Sequence, residues 1–283
     1  MNWFFFAILS VISLSFSSIF QRILMKEEKS DSLSYSVTFQ FICTIIVGVY
    51  ALIEGFVLPP IAQQPFFYLL GGVLYGGGTL FLFKALQKLG SGEVTIFTSV
   101  RAVVTIIIAI VILNEPFNLL KLIGTIMVLS AVLLTSRKQG EKFKLNEGVV
   151  YSLAMALVYG AAVVNDKFLL RSAEPISYTA VMFFLPGLAL LAYRPAVVKK
   201  FKDFVEPKLL KRMLVMSILY SLAAIAFFTA LSTGANASQM SPINQASVVL
   251  TVLLAAFFLK ETERLPIKIF SAFLVIIGVL LLR

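Results

Sequence analysis

The sequence has no histidine, and its 283 residues include a single cysteine, Cys43. Without histidine there is no His-liganded metal site, no Ser-His-Asp triad and no imidazole proton relay. One cysteine permits no internal disulfide framework. Charge is scarce as well: 13% of residues are Asp, Glu, Lys or Arg, about half the share found in water-soluble domains. Acids are rarer than bases, 14 against 24. Apolar residues fill the space, at 59% with 26 Phe and a mean hydropathy of +0.96. Such a chain cannot cover itself with polar surface in water, so a lipid bilayer is the expected solvent. At about 20 residues per crossing, the length accommodates about ten membrane helices and leaves no stretch for a soluble domain.

Apolar runs bounded by charge, Gly or Pro fall at 3–24, 33–53, 65–87, 92–113, 116–136, 147–170, 175–193, 209–232, 237–259 and 265–282. Each is long enough to cross about 30 Å as a helix. The start, Met1-Asn2-Trp3-Phe4, has neither a positive n-region nor a cleavage site and reads as the first span. Short connections between long apolar helices imply an antiparallel bundle.

The chain repeats itself. Leu74-Tyr75 returns as Leu219-Tyr220 and Ala85-Leu86 as Ala230-Leu231, both at a spacing of 145. Leu113-Asn114-Glu115 returns as Leu259-Lys260-Glu261 at a spacing of 146, and Leu33-Ser34-Tyr35-Ser36 as Ile176-Ser177-Tyr178-Thr179. The expected units are residues 1–137 and 147–283, with five helices each. Five is odd, so the second unit starts on the opposite side of the membrane. The fold class expected is an all-α integral membrane protein of ten helices in two inverted five-helix repeats, an architecture of secondary transporters.

The bases are asymmetric along this frame. Calling the N-terminal side A and the other side B, nineteen of the 24 Lys and Arg fall on side B, four on side A, and Arg101 lies within a span. The positive-inside rule then makes B cytoplasmic and puts both termini outside. Bases spread along one membrane face, with no recognisable binding module, exclude a nucleic-acid partner. The expected location is the inner cell membrane, crossed many times.

Candidate binding residues sit at mid-span. Arg101 lies about ten residues into the fourth run, roughly 15 Å deep. A charge there is costly and faces a bundle interior or a watery cavity. Thr98, Arg101 and Thr105 share one helix face, and Asn244, Ser247 and Thr251 repeat that spacing 146 residues later, with Gln245 matching Ser99. Two related helices with polar faces at one depth predict a shared central site. Thr105 and Thr251 taken alone read better as interhelical hydrogen-bond glue. Tyr75 and Tyr220 occupy matching mid-span positions and suit donation to a solute. Ser10, Ser13, Ser17 and Gln21 form one face of the first span, and Gln40 with Thr44 one of the second. Either face lines a cavity or packs helices. The substrate-binding set expected is therefore Arg101, Thr98, Tyr75, Asn244, Gln245, Ser247, Tyr220 and Gln21.

Other features read as structural. Asp166-Lys167, near the outer end of the sixth span, suits an interfacial pair better than an outer gate. Glu115, just before Pro116, and Glu261 suit helix capping at the dipole. Gly71, Gly72, Gly76, Gly77 and Gly78 crowd the third span; Pro186 interrupts the seventh and Pro242 the ninth. Such positions mark close helix approach, kinks or hinges. No HExxH, GxSxG or Cys–His pair is present, so no enzyme, cofactor or metal site is expected. A membrane scaffold would not need a mid-bilayer Arg.

Ten spans in two halves, with Leu-Asn-Glu-Pro at 113–116 and Leu-Lys-Glu-Thr at 259–262 closing the fourth and ninth, resemble the EamA-type transporters of the drug/metabolite transporter superfamily. The resemblance covers the whole chain. It implies a permease or exporter of small metabolites, amino acids included, with a central cavity between the halves. That family is usually described with cytoplasmic termini, whereas the charge count here puts them outside. The expected function is a secondary transporter of a small anionic or zwitterionic metabolite by alternating access, with Arg101 on the anionic group. The alternative on the same fold is an exporter or flippase of amphipathic, drug-like compounds. A proton route would need Glu93 or Asp166, and neither reads as deep.

Overall fold

The computed structural model describes residues 2–27, 32–89, 91–136, 146–198, 206–258 and 264–283. They form eleven helices: α1 (Trp3–Glu27), α2 (Ser32–Glu54), α3 (Pro65–Lys88), α4 (Ser91–Thr98), α5 (Arg101–Leu113), α6 (Leu119–Ser136), α7 (Glu147–Leu169), α8 (Pro175–Tyr193), α9 (Pro207–Ser232), α10 (Ala237–Phe258) and α11 (Leu265–Leu282). They make ten candidate membrane spans, because α4 and α5 together form the fourth, Glu93–Leu113. The Arg137–Asn146 and Arg194–Lys208 connections carry much of the basic excess of side B, and 137–145 and 199–205 lie outside the described residues. So does Glu261.

The halves pack against each other symmetrically. The first span (α1) lies on the eighth (α9), and the third (α3) lies on the sixth (α7). Those are the same pairing with the halves exchanged. The second span meets the seventh, the fourth the ninth and the fifth the tenth. Hydrogen bonds stitch each of the two long pairs. Ser10 and Ser17 donate to the carbonyls of Ala223 and Met216 at 2.9 and 3.0 Å. On the other side, Asn165 donates to the Phe67 carbonyl at 3.0 Å. Much of the serine face of the first span is therefore packing glue. Where the fifth and tenth spans cross, Gly124 and Gly278 face each other. A Cβ on either would come within 2.6 or 2.8 Å of the other's carbonyl oxygen, so only glycine allows that approach.

The largest apolar cluster gathers the side-A ends of the helices, with Leu169, Leu231, Met240 and Leu282 fully buried. Burial there removes apolar area from competing solvent and closes the bundle toward side A. Polar clasps reinforce the closure. Both carboxylate oxygens of Glu115 accept backbone N–H groups at the start of α10, from Ala237 and Ser238, each at 2.8 Å. The acid caps a helix start, as its sequence position suggests, but the helix belongs to the other half of the chain. Gln239 donates to the Leu282 carbonyl at 2.7 Å, tying α10 to the end of α11. On side B, Lys88 and Glu147 pair at 2.6 Å and join α3 to α7.

Two expectations about backbone breaks fail. Pro186 and Pro242 lie inside continuous helices. The fourth span is the one that breaks, at Ser99–Val100. There the Thr98 hydroxyl donates to the Val94 carbonyl at 2.8 Å and the Ser99 hydroxyl to the Ile96 carbonyl at 2.7 Å. Side-chain bonding of this kind competes with the backbone ladder. The Val100 and Ala102 amides shift to three-residue bonds, on Phe97 and Ser99, the tighter 3₁₀ pattern.

Candidate functional site

The break makes Arg101 the first residue of α5. Its side chain enters a cavity of about 130 Å³ enclosed by α1, α2, α3, α5, α7, α8, α9 and α10. The polar wall consists of Ser10, Gln40, Tyr75, Arg101, Tyr159 and Tyr220, with Thr179, Ser241 and Asn244. The apolar wall includes Met182, Phe183, Phe227 and Phe228. The wall positions come from eight helices of both halves, so the site exists only in the assembled bundle.

Arg101 has an unusual environment for a buried cation. Its one hydrogen bond among the described residues runs from Nη2 to Gln245 Oε1, at a long 3.4 Å. No carboxylate pairs with it among the described residues. A guanidinium carries five N–H donors, and most of these remain for whatever occupies the cavity. Gln245 holds the arrangement: its Nε2 donates to the Ser99 carbonyl at 3.2 Å, which also accepts the Ala102 amide at the break. Gln40 and Asn244 line the cavity, and their amide oxygens are buried without hydrogen-bond partners among the described residues. Arg101, these amides and the three phenols form the polar part of one cavity wall.

Of the eight residues expected to bind solute, Arg101, Tyr75, Asn244 and Tyr220 line the cavity. Gln245 is buried behind Arg101 and positions it. Thr98 is not in the wall, because its hydroxyl is spent on the carbonyls of Val94 and Thr95 within α4. Ser247 is not in the wall either. Its hydroxyl donates to the Asn244 carbonyl at 2.7 Å, and its own carbonyl accepts Ser15 at 3.1 Å and Thr251 at 2.7 Å. Thr105 likewise bridges to the Gly160 carbonyl at 3.2 Å. The side chain of Gln21 lies outside the described residues.

The Asp166-Lys167 interfacial pair does not form. Asp166 is fully buried and accepts the hydroxyls of Tyr75 and Tyr178. Lys167 turns away to donate to the Leu231 carbonyl at 2.6 Å. Two phenols took unexpected parts: Tyr178 as a donor to Asp166, and Tyr159 as a wall residue. At the repeat spacing of 145, Tyr159 corresponds to Leu14, which also lines the cavity. Searching for repeated polar residues therefore passes over it, although repeated positions would find it.

The glycines of α3 create room for this wall. A Cβ on Gly78 would collide with the Tyr159 ring, whose hydroxyl is hydrogen-bonded to Thr79 at 2.9 Å. Gly78→Ala is therefore expected to displace that ring and lower stability by about 1–3 kcal/mol, the usual cost of overpacking. Thermal melting of the purified variant checks this. An unchanged melting temperature would contradict the contact.

Residues 1–137 and 146–283 each match the EamA-like transporter family. The chain belongs to that family. Together the two EamA matches span nearly all of it, so the ten helices form two EamA units of about five each, and the protein is a transporter rather than an enzyme. Among curated proteins none matches. Twenty-nine chains of solved structures do. One, a crystal structure described only as that of a protein, covers 99% of this chain and 95% of its own at a TM-score of 0.80 and 14% identity. That likeness shows the fold alone.

Proposed function

We propose that this EamA protein is a secondary transporter moving a small carboxylate-bearing metabolite, anionic or zwitterionic as in an amino acid, by alternating access around the central cavity. The supporting observation is Arg101, a guanidinium that has, among the described residues, one long hydrogen bond and no counter-ion. An uncompensated cation in the membrane interior is costly, and a planar fork of donors matches a carboxylate in two-point contact. Tyr75, Tyr220, Gln40 and Asn244 supply neutral contacts around the same solute. The two repeats, 1–137 and 147–283, rock about this point, and the side-A clasps define the closed gate of the present conformation. A volume of about 130 Å³ is small beside the roughly 300–1,000 Å³ of sites for drug-sized ligands. Together with the Arg, it argues against amphipathic or cationic cargo.

Counterflow in proteoliposomes tests the reading. Vesicles preloaded with an unlabelled mixture of small carboxylates and amino acids are expected to take up labelled members of it, and protein-free vesicles are not. Uptake of lipophilic cations in place of carboxylates would overturn the proposal.

Its place is the inner cell membrane, with side B cytoplasmic. Reporter fusions after Arg283 are expected to report the external side, and fusions in the Lys199–Lys208 loop the cytoplasm. A cytoplasmic C-terminus would reverse the orientation without altering the fold.

A further inference from the structure

Asp166 is the most deeply buried carboxyl among the described residues, with no exposed surface. It sits three residues before α7 ends, between the cavity and side A. Tyr75 donates to its Oδ2 at 2.5 Å and Tyr178 to its Oδ1 at 2.7 Å. No Lys or Arg pairs with it among the described residues. The groups facing it from the packed elements are few. Helix α3 brings Tyr75 and Tyr68, and α8 brings Tyr178. Arg101 of α5 and Tyr220 of α9 border the cavity into which Tyr75 also faces, and α10 adds only neutral Ser241 and Asn244. Glu93 of α4 stands at the other end of its span.

A second observation lies on the side-A flank. Gln64 Oε1 just before α3, the Tyr68 hydroxyl on α3, and Asn165 Oδ1 beside Asp166 are buried polar atoms without partners among the described residues. Gln64 is the residue that precedes α3, and Tyr68 lies in its first turn, with the Tyr68 amide bonded to the Gln64 carbonyl at 3.3 Å. Asn165 reaches the same stretch through its bond to the Phe67 carbonyl, and the Tyr68 ring packs on Tyr178 with centroids 6.1 Å apart. Buried polar atoms left over in this way are where internal water is held. They run from the start of α3 toward Asp166.

We propose that Asp166 is the proton-binding residue of the carrier, loaded from side A and coupled to the solute through Tyr75; this rests on the transport reading above. With Asp166 ionised, both its oxygens accept, and Tyr75 spends its O–H there. A proton arriving on Oδ2 turns that oxygen into a donor. It donates to the Tyr75 oxygen, and the Tyr75 hydroxyl hydrogen swings into the cavity beside Arg101. An anion then meets a guanidinium and a phenol O–H together. When the proton leaves, Tyr75 turns back and the extra donor is withdrawn. Each ligand thus favours the other, as linkage requires.

Charge balance selects the direction of coupling. In the empty carrier, the charges of Arg101 and ionised Asp166 sum to zero, although the two side chains form no ion pair. In the loaded carrier, the anion cancels Arg101 and the proton cancels Asp166. Both forms cross the low-dielectric interior without net charge. Exchanging a proton for an anion would leave an uncompensated charge on each stroke, at the cost membranes impose. The geometry therefore corresponds to co-transport of one proton with a solute of one net negative charge.

Infrared difference titration of the full chain in phosphatidylethanolamine–phosphatidylglycerol nanodiscs reads the site with no solute present. A protonated-carboxyl C=O band is expected to vanish as pH is raised, and to be missing in the near-isosteric Asp166→Asn. Absence of a titrating band in the wild type overturns the proton site, whether or not the variant folds. So does a band that persists in Asp166→Asn. Proteoliposomes of the same lipids, with labelled lactate and glutamate and an acidic exterior, read the coupling. Accumulation of about tenfold per pH unit is expected for one proton, falling to simple equilibration or less in Asp166→Asn. Accumulation that survives that substitution overturns the coupling. Absence of any Arg101-dependent uptake overturns the carboxylate reading and the coupling with it, while the titration decides the proton site separately.

Discussion

Replacing Arg101 by alanine is expected to reduce solute uptake to the level of protein-free vesicles while leaving folded protein in the membrane. The reason is the bonding of the side chain. It makes one hydrogen bond of 3.4 Å, to Gln245, so its removal strands little. It also takes a cation with no ion-pair partner among the described residues out of the bilayer interior, so the melting temperature is expected to stay level or rise. Arg101→Lys keeps the charge but loses the planar fork. Affinity is expected to fall by about ten- to hundredfold, the value of one or two charge-assisted hydrogen bonds. An Arg that served packing would behave in the opposite way, with alanine lowering stability and lysine largely restoring it. Melting and uptake measured on the same preparations separate the two.

Glu115→Ala is expected to give the largest loss of stability. Glu115 is 7% exposed, and its carboxylate accepts the Ala237 and Ser238 amides, each at 2.8 Å. Those amides open α10, where the helix dipole already favours an anion. Alanine leaves both without an acceptor at a buried helix start, at a cost of about 3 kcal/mol. Glu115→Gln keeps one acceptor and loses the charge, so about half that loss is expected. Because the bond joins the fourth span to the ninth, across the two halves, the loss should appear as a lower temperature for a single cooperative melt. Two variants that melt with the wild type would show that the clasp contributes nothing.

The fold was legible because hydrophobic run length and repeat spacing are local properties of the chain. Ten runs and two units follow from counting, and Arg101 stood out because a mid-bilayer cation has few uses. Three features were not legible. The break at Ser99–Val100 arises where two hydroxyls and a remote amide, Gln245, capture backbone groups, whereas Pro186 and Pro242, the residues that usually signal breaks, lie in continuous helices. Asp166 looked interfacial because depth was counted along its own helix. Its burial comes sideways, from the tyrosines of α3 and α8. Glu115 read as a cap for its own connection, and its actual partner is 122 residues away. Thr98 and Ser247 had the right spacing for a polar face. A hydroxyl in a membrane helix, however, satisfies itself first on the preceding turn, and both do so.

The most direct test of the central claim is a thermal-shift screen of small carboxylates on the wild type and on Arg101→Ala, in the same nanodiscs. Compounds that bind the closed cavity should raise the wild-type melting temperature in proportion to log concentration. They should leave the alanine variant unmoved, although it melts no lower than the wild type. Equal shifts in both proteins, or a variant that has lost its cooperative melt, would contradict the assignment of Arg101 as the residue that receives the solute.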